Sequence, residues 1–138
     1  EGTNWAGLGS DQSPNFSEGI ESARAQVSAG LYTFSLAMLY DNANSLGYVN
    51  PGVLQVYSRS SMGLTHLGTL AVNTGPMQWE LRSLNFTIAQ DDTMSFIISN
   101  ENIAQTYIGI DDVQVNAVPE PATLAALGLG LLALKRRR

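Results

Sequence analysis

Two carboxylate pairs, Asp91-Asp92 and Asp111-Asp112, are where this sequence concentrates groups able to hold a hard cation. Calcium takes its ligands from carboxylates and backbone carbonyls. Asp111-Asp112 follows Gly109-Ile110 in the last strand-like run, and neighbours in a regular strand face opposite sides. One carboxylate then points outward while the other meets a loop, which makes Asp111 and Asp112 candidate ligands of a structural Ca²⁺. The competing reading is a solvated or backbone-capping pair, and Asp91-Asp92 reads as a turn. His66 is the only histidine and there is no cysteine, so no three-residue zinc set can be built around it. No Gly-x-Ser-x-Gly elbow accompanies it for nucleophilic chemistry, and it reads as a strand or surface histidine. The scattered acids define no glycosidase pair, whose carboxyl groups must stand about 5 to 9.5 Å apart. These residues predict a body without catalytic machinery and without a required cofactor.

Aromatic side chains offer different chemistry, because a flat ring with a polar tip suits contact with sugars. Trp5, Tyr40, Tyr48, Tyr57 and Trp79 lie in or beside loops and strand ends. Tyr48, inside a long polar stretch, is the leading candidate for carbohydrate binding, with Tyr40 and Trp5 beside it. Trp79 opens a strand and reads as core.

Those side chains need a scaffold, and the hydrophobic pattern describes one. With 138 residues, 44% of them apolar, the chain has enough material for one packed domain and an appendage. From Ser22 to Ala117 the dominant period is two, the strand repeat. Tyr32, Phe34, Leu36, Met38 and Tyr40 fall on one face of such a run. Strands are predicted over residues 22–27, 31–40, 53–58, 65–72, 79–88, 94–99 and 106–117, separated by Gly-, Asn- and Pro-rich breaks. Residues 79–88 carry two phases: Trp79 and Leu81 share one parity, while Leu84, Phe86 and Ile88 share the other. An extra residue near Ser83, a β-bulge, would reconcile them. No crossover helices are available to cover a parallel sheet, so the pattern predicts an all-β fold, an antiparallel sandwich or jelly roll.

Charge divides the chain sharply. Residues 1–117 contain three arginines and eleven acids, 3 − 11 = −8, whereas Lys135, Arg136, Arg137 and Arg138 form a +4 terminus. An acidic body with three scattered arginines has no stripe to neutralise phosphates, which argues against nucleic-acid binding. Residue 1 is Glu1, with no basic n-region or apolar h-region before it. This predicts the C-terminal piece of a longer secreted chain, with a body (1–117) that lacks its first strand or two.

Val118-Pro119-Glu120-Pro121 ends the strand pattern, since its prolines lack backbone donors. The apolar segment 122–134 follows as a predicted short helix, and the basic cluster 135–138 closes the chain as a positive stop that favours the cytoplasmic side. As a helix, 13 residues span about 20 Å, less than the roughly 30 Å of a bilayer core, and long Lys and Arg stems extend that reach. The ordered triplet Pro119, Glu120 and Pro121, the Leu/Ala/Gly helix and the terminal Arg cluster together resemble the PEP-CTERM sorting signal of exported proteins of Gram-negative bacteria. That resemblance covers 118–138. It implies recognition by an exosortase, transient anchoring in the inner membrane, and association with extracellular polysaccharide and biofilm. The runs Ala29-Gly30-Leu31-Tyr32-Thr33-Phe34-Ser35 and Tyr107-Ile108-Gly109-Ile110-Asp111-Asp112-Val113-Gln114-Val115 resemble carbohydrate-binding-module or galactose-binding-like jelly rolls. The combined expectation is a non-enzymatic protein of the cell surface or extracellular matrix. A carbohydrate-binding module of an exopolysaccharide-associated protein, and the accessory domain of a hydrolase whose catalytic part lies upstream, are the alternatives.

Overall fold

In the computed structural model, the described residues are 6–10, 18–40, 52–73, 75, 77–101 and 106–119. Among them there is no helix, and nine strands form: β1 Ala6–Ser10, β2 Glu18–Glu21, β3 Ala25–Val27, β4 Gly30–Tyr40, β5 Val53–Ser60, β6 Gly63–Ala71, β7 Glu80–Ile88, β8 Asp92–Asn100 and β9 Thr106–Ala117. All pairings are antiparallel. One sheet has the order β1-β9-β4-β7 and the other β2-β8-β5-β6, with β3 also paired to β8. This is the β-sandwich that the period-two pattern predicts.

The alternation on β4 explains the packing. Phe34, Leu36 and Met38 are fully buried, and Tyr32 and Tyr40 on the same face pack against the core. Facing them from the second sheet are Leu54 and Val56 of β5, Leu70 of β6, and Met94 and Ile98 of β8. Fully burying each such side chain contributes about 1.5–3 kcal/mol, so the interface between sheets dominates the stability of the body.

Two strands have no counterpart in the sequence reading. β1 sets small residues around the buried Leu8, and its Gly7 lies opposite Gly109. A Cβ at Gly7 would meet the Tyr107 hydroxyl at 1.9 Å, so glycine is required there by the ring that lies across it. β2 is exposed at all four residues, Ile20 the large apolar one among them at 40%, and lacks any alternation signal. The single strand expected at 22–27 is interrupted: residues 22–24 lie outside strands, and Ser22 bridges the gap. Its N–H donates to the Phe96 carbonyl (2.9 Å), while its Oγ accepts from the Phe96 N–H (3.0 Å).

The bulge expected near Ser83 does not form. The β4–β7 register runs unbroken from Gly30↔Ile88 to Met38↔Glu80. Leu84, Phe86 and Ile88 face inward as expected, but at the other end the inward parity falls to Glu80 and Arg82. These two make an ion pair of 2.6 Å, and the Asn73 N–H also donates to Glu80. Because β7 pairs only with β4 among the described residues, its end can turn a charged pair inward at the rim and leave Leu81 outside at 70% exposure. Trp79, expected in the core, is 45% exposed.

Bulges occur elsewhere. Ser35 pairs with Gln114 and Ala37 with Asp111, two steps on β4 against three on β9. Asp112 takes up the extra residue in the left-handed region, at φ 50°. On β6, Val56↔Gly68 is followed by Tyr57↔His66, so Leu67 is the extra residue.

Candidate functional site

The outer face of the second sheet gathers an aromatic and polar cluster. Gln55 and Tyr57 alternate with the buried Leu54 and Val56 on β5, which turns both outward. Counting back from buried Leu70, unbroken alternation would send His66 inward. The bulge instead turns Leu67 against the core and sets His66 beside Tyr57, with ring centroids 5.1 Å apart and planes at 53°. Gln55 Oε1 sits 2.8 Å from His66 Nε2 and accepts from the Thr69 hydroxyl at 2.7 Å. The Tyr57 hydroxyl donates to Glu101 Oε2 at 2.8 Å. One row along, the Arg59–Glu21 ion pair (3.2 Å) and the Ser95 hydroxyl bound to Glu21 complete the face.

Burial, then the hydrogen bond to Glu101 and its negative charge, raise the Tyr57 hydroxyl above the ordinary 10. Tyr57 therefore remains a neutral donor at physiological pH. A ring face flanked by an amide, an imidazole, a hydroxyl and a carboxylate can stack on an apolar face while hydrogen-bonding around its rim. Nothing in the cluster sets a nucleophile against a base.

The expected calcium ligands lie elsewhere, at the β9 bulge. The Asp112 N–H donates to Asp111 Oδ1 (2.8 Å), and Gln114 Nε2 donates to Asp112 Oδ1 (2.8 Å). Among the described residues no group of three His, Cys, Asp or Glu side chains converges. The bulge borders a pocket of about 440 Å³ between the sheets, walled by Ile20, Phe34, Phe96, Ile98, Ile110 and Val113. Tyr40, a sugar candidate from the sequence, ends β4 half-buried on the core-facing side. Trp5, Tyr48, Glu120, Pro121, the expected helix 122–134 and the basic residues 135–138 lie outside the described residues. Pro119 is the last described residue, and no helix among the described residues is long and apolar enough to cross a membrane.

Tyr57 is legible in the sequence as an aromatic beside a strand end, whereas Gln55, His66 and Thr69 become its neighbours only in the fold. Gln55 shares its parity with Tyr57, a legible signal. His66 and Thr69 differ in number by three, and only a bulge between them puts both on one face. A comparable signal existed on β9, where Ile108 and Ile110 share one parity and Val113 and Val115 the other.

Comparison with known structures agrees with the sandwich. A structure described as Family 16 Carbohydrate Binding Module-2 aligns over 84% of this chain and 78% of its own, at 12% identity and a TM-score of 0.54. The CBM22-1 xylan-binding domain of Paenibacillus barcinonensis Xyn10C aligns over 66% and 57% at 12% identity, with a TM-score of 0.46. A carbohydrate-binding module of Cellvibrio mixtus lichenase 5A, solved with cellotriose, aligns over 67% and 62% at 15% identity, with a TM-score of 0.43. At these identities the first of these similarities defines the fold: the body is a β-sandwich like those of carbohydrate-binding modules. No curated protein matches the sequence. Residues 117–138 match the PEP-CTERM protein-sorting motif, so the chain carries a sorting signal directly behind its last strand. The motif implies export, membrane-anchored transit and processing by an exosortase.

Proposed function

We propose that this chain is a non-enzymatic protein of the cell surface or extracellular matrix, delivered there by its sorting signal. The observation that carries the reading is the match at residues 117–138, which begins where β9 ends. β9 is paired with β4 to its last residue, and the Val118 N–H still donates to the Leu31 carbonyl at 2.8 Å. Pro119 follows immediately, and its ring withholds the next backbone donor. The folded body thus ends within a residue or two of the triplet. Glu120 supplies the charged handle of that triplet, and the four positive charges at 135–138 oppose translocation of the tail. Expression of the full precursor in a host with its exosortase should yield mature protein lacking the tail, read by C-terminal mass spectrometry. Glu120→Ala should block that loss, and removal of Lys135, Arg136, Arg137 and Arg138 should misroute the protein. An intact tail on the mature parent would overturn the reading.

A second reading, that the body binds extracellular polysaccharide, is favoured by the Tyr57 cluster on the outer face of the second sheet. Tyr57 provides a stacking surface, and Gln55, His66, Thr69 and Glu101 provide polar groups around it. A glycan array probed with the intact protein should show binding. Tyr57→Ala should weaken it about tenfold, the effect of losing about 1.4 kcal/mol at a central aromatic contact. No binding at millimolar glycan, or full binding by Tyr57→Ala, would leave the surface-protein reading without this ligand site.

A further inference from the structure

The outer face of the β1-β9-β4-β7 sheet carries a lattice of uncharged hydroxyl and amide groups. Phe34, Leu36 and Met38 of β4 point into the core, so Thr33 and Ser35, which alternate with them, point out. Thr33 pairs with Asn85 on one side and Asn116 on the other, and Ser35 pairs with Ser83 and Gln114. Six neutral polar side chains therefore stand in two rows across three strands, and the four on β7 and β9 are exposed. The rows are about 7 Å apart along the strands, and the strands about 4.8 Å apart. The Thr33 hydroxyl donates to Asn85 Oδ1 (2.7 Å), Asn116 Nδ2 to Gln114 Oε1 (3.2 Å), and Gln114 Nε2 to Asp112 Oδ1 (2.8 Å). These bonds fix the amides. Asn85 Nδ2 stays available as a donor, Asn116 Oδ1 as an acceptor and the Ser35 and Ser83 hydroxyls as both, without partners among the described residues. Leu31, 45% exposed, and Leu81, 70% exposed, flank the two rows at opposite ends.

We propose that this face binds an extended, uncharged polysaccharide, and that with the Tyr57 cluster on the opposite face one body bridges two such chains. The new surface stands on the lattice alone, and the bridging rests on the polysaccharide reading of the Tyr57 cluster. Chemistry selects the ligand. A sugar hydroxyl both donates and accepts, and the two rows offer groups of both kinds. A charged polymer would be desolvated over rows that hold no ionisable side chain, a cost that no counter-charge offsets. Asp111 and Asp112, at one edge of the lattice, further repel an acidic polymer. The outer face of the other sheet is different in kind, with Glu21, Arg59, His66 and Glu101 around Tyr57. Leu31 and Leu81 give the C–H faces of sugar rings apolar contacts at both ends, across about 20 Å of strand. Because the amides are already tied to one another, little side-chain entropy is lost on binding. Two sites on one body also add avidity for a polymer, so losing either weakens the whole.

Affinity electrophoresis of the full chain in neutral detergent tests the surface, with xylan, mannan or a β-glucan in the gel and polygalacturonate as the charged comparison. An uncharged polysaccharide should retard the parent, and polygalacturonate should not. Asn85→Asp keeps the oxygen that accepts from Thr33 and adds one charge to the rows. It should weaken retention about tenfold, the loss of one of two sites on a polymer. Gln90→Glu makes the same charge change in the turn after β7 and should match the parent. Leu81→Thr, an uncharged change at an exposed position, should weaken retention about threefold, the scale of a partly covered apolar side chain. In solution the parent should raise the viscosity of the polysaccharide by joining chains, whereas Tyr57→Ala and Asn85→Asp should each still bind and not join them. Unchanged retention of Asn85→Asp and Leu81→Thr, or equal retention by polygalacturonate, would overturn the new surface and leave the Tyr57 reading standing. Loss at Asn85 without loss at Tyr57 would instead remove the Tyr57 reading, and the bridging with it, while supporting the lattice. A parent retarded by none of these polymers, including one whose Asn85→Asp variant merely dissociates a dimer in sedimentation, would overturn both.

Discussion

Asp112 is the residue whose backbone bears most directly on the function-bearing end of the sheet. Its φ of 50° lies in the region that β-branched side chains avoid and that Gly, Asn and Asp tolerate. The reward for that conformation is the switch in parity along β9: Ile108 and Ile110 reach the core before it, and Val115 packs against the core after it. The exposed carboxylate also accepts from Gln114, holding the first amide of the outer row. Asp112→Gly should leave stability within about 0.5 kcal/mol of the parent, whereas Asp112→Val should cost about 1–2 kcal/mol. Urea denaturation measures both. A valine variant as stable as the glycine variant would mean that the bulge is not held at this residue. Tyr57 is the contrasting case, a residue with ordinary strand geometry whose value comes from its neighbours.

At the scale of the element, β7 and β9 pose the same problem and solve it differently. Each carries apolar residues on two parities. β9 is sandwiched between β1 and β4 in its first half and must bury Ile108 and Ile110 as well as accommodate Val115, so an extra residue is inserted. β7 is an edge strand, and exposing one leucine there is cheaper than disrupting nine paired positions. The ion pair of Glu80 and Arg82 makes the inward-facing rim tolerable. Leu81→Thr should therefore change stability by no more than about 0.5 kcal/mol, as for an ordinary surface position. Phe86→Ala, five residues on and buried against Tyr32 and Phe96 at ring distances of 5.8 and 5.7 Å, should cost about 3–5 kcal/mol. Chemical denaturation distinguishes the two positions, and comparable losses at both would restore the bulge near Ser83.

For the whole molecule, the organisation is a body that ends at the start of its own address. The acidic sandwich closes on β9, and the same strand delivers the chain to Pro119. The proposed cluster around Tyr57 sits on the other sheet, so glycan contact at that cluster and delivery of the tail would use different strands.

The strand period, the lack of a helical pattern before residue 118, the division of charge and the Pro-Glu-Pro triplet are local properties, and the sequence by itself determined them. A two-residue repeat dictates which side chains share a face whatever lies beyond them, and the triplet is a short contiguous signal. Tertiary structure decided what depends on neighbours in space. β1 and β2 form because β9 and β8 offer edges to them, not because their own residues alternate. Whether a two-phase strand bulges, as β9 does, or exposes its misfit, as β7 does, is decided by the register of its pairing with β4. The meeting of Gln55, Tyr57, His66 and Thr69 was likewise decided by pairing register, because one inserted residue on β6 reverses the facing of everything before it.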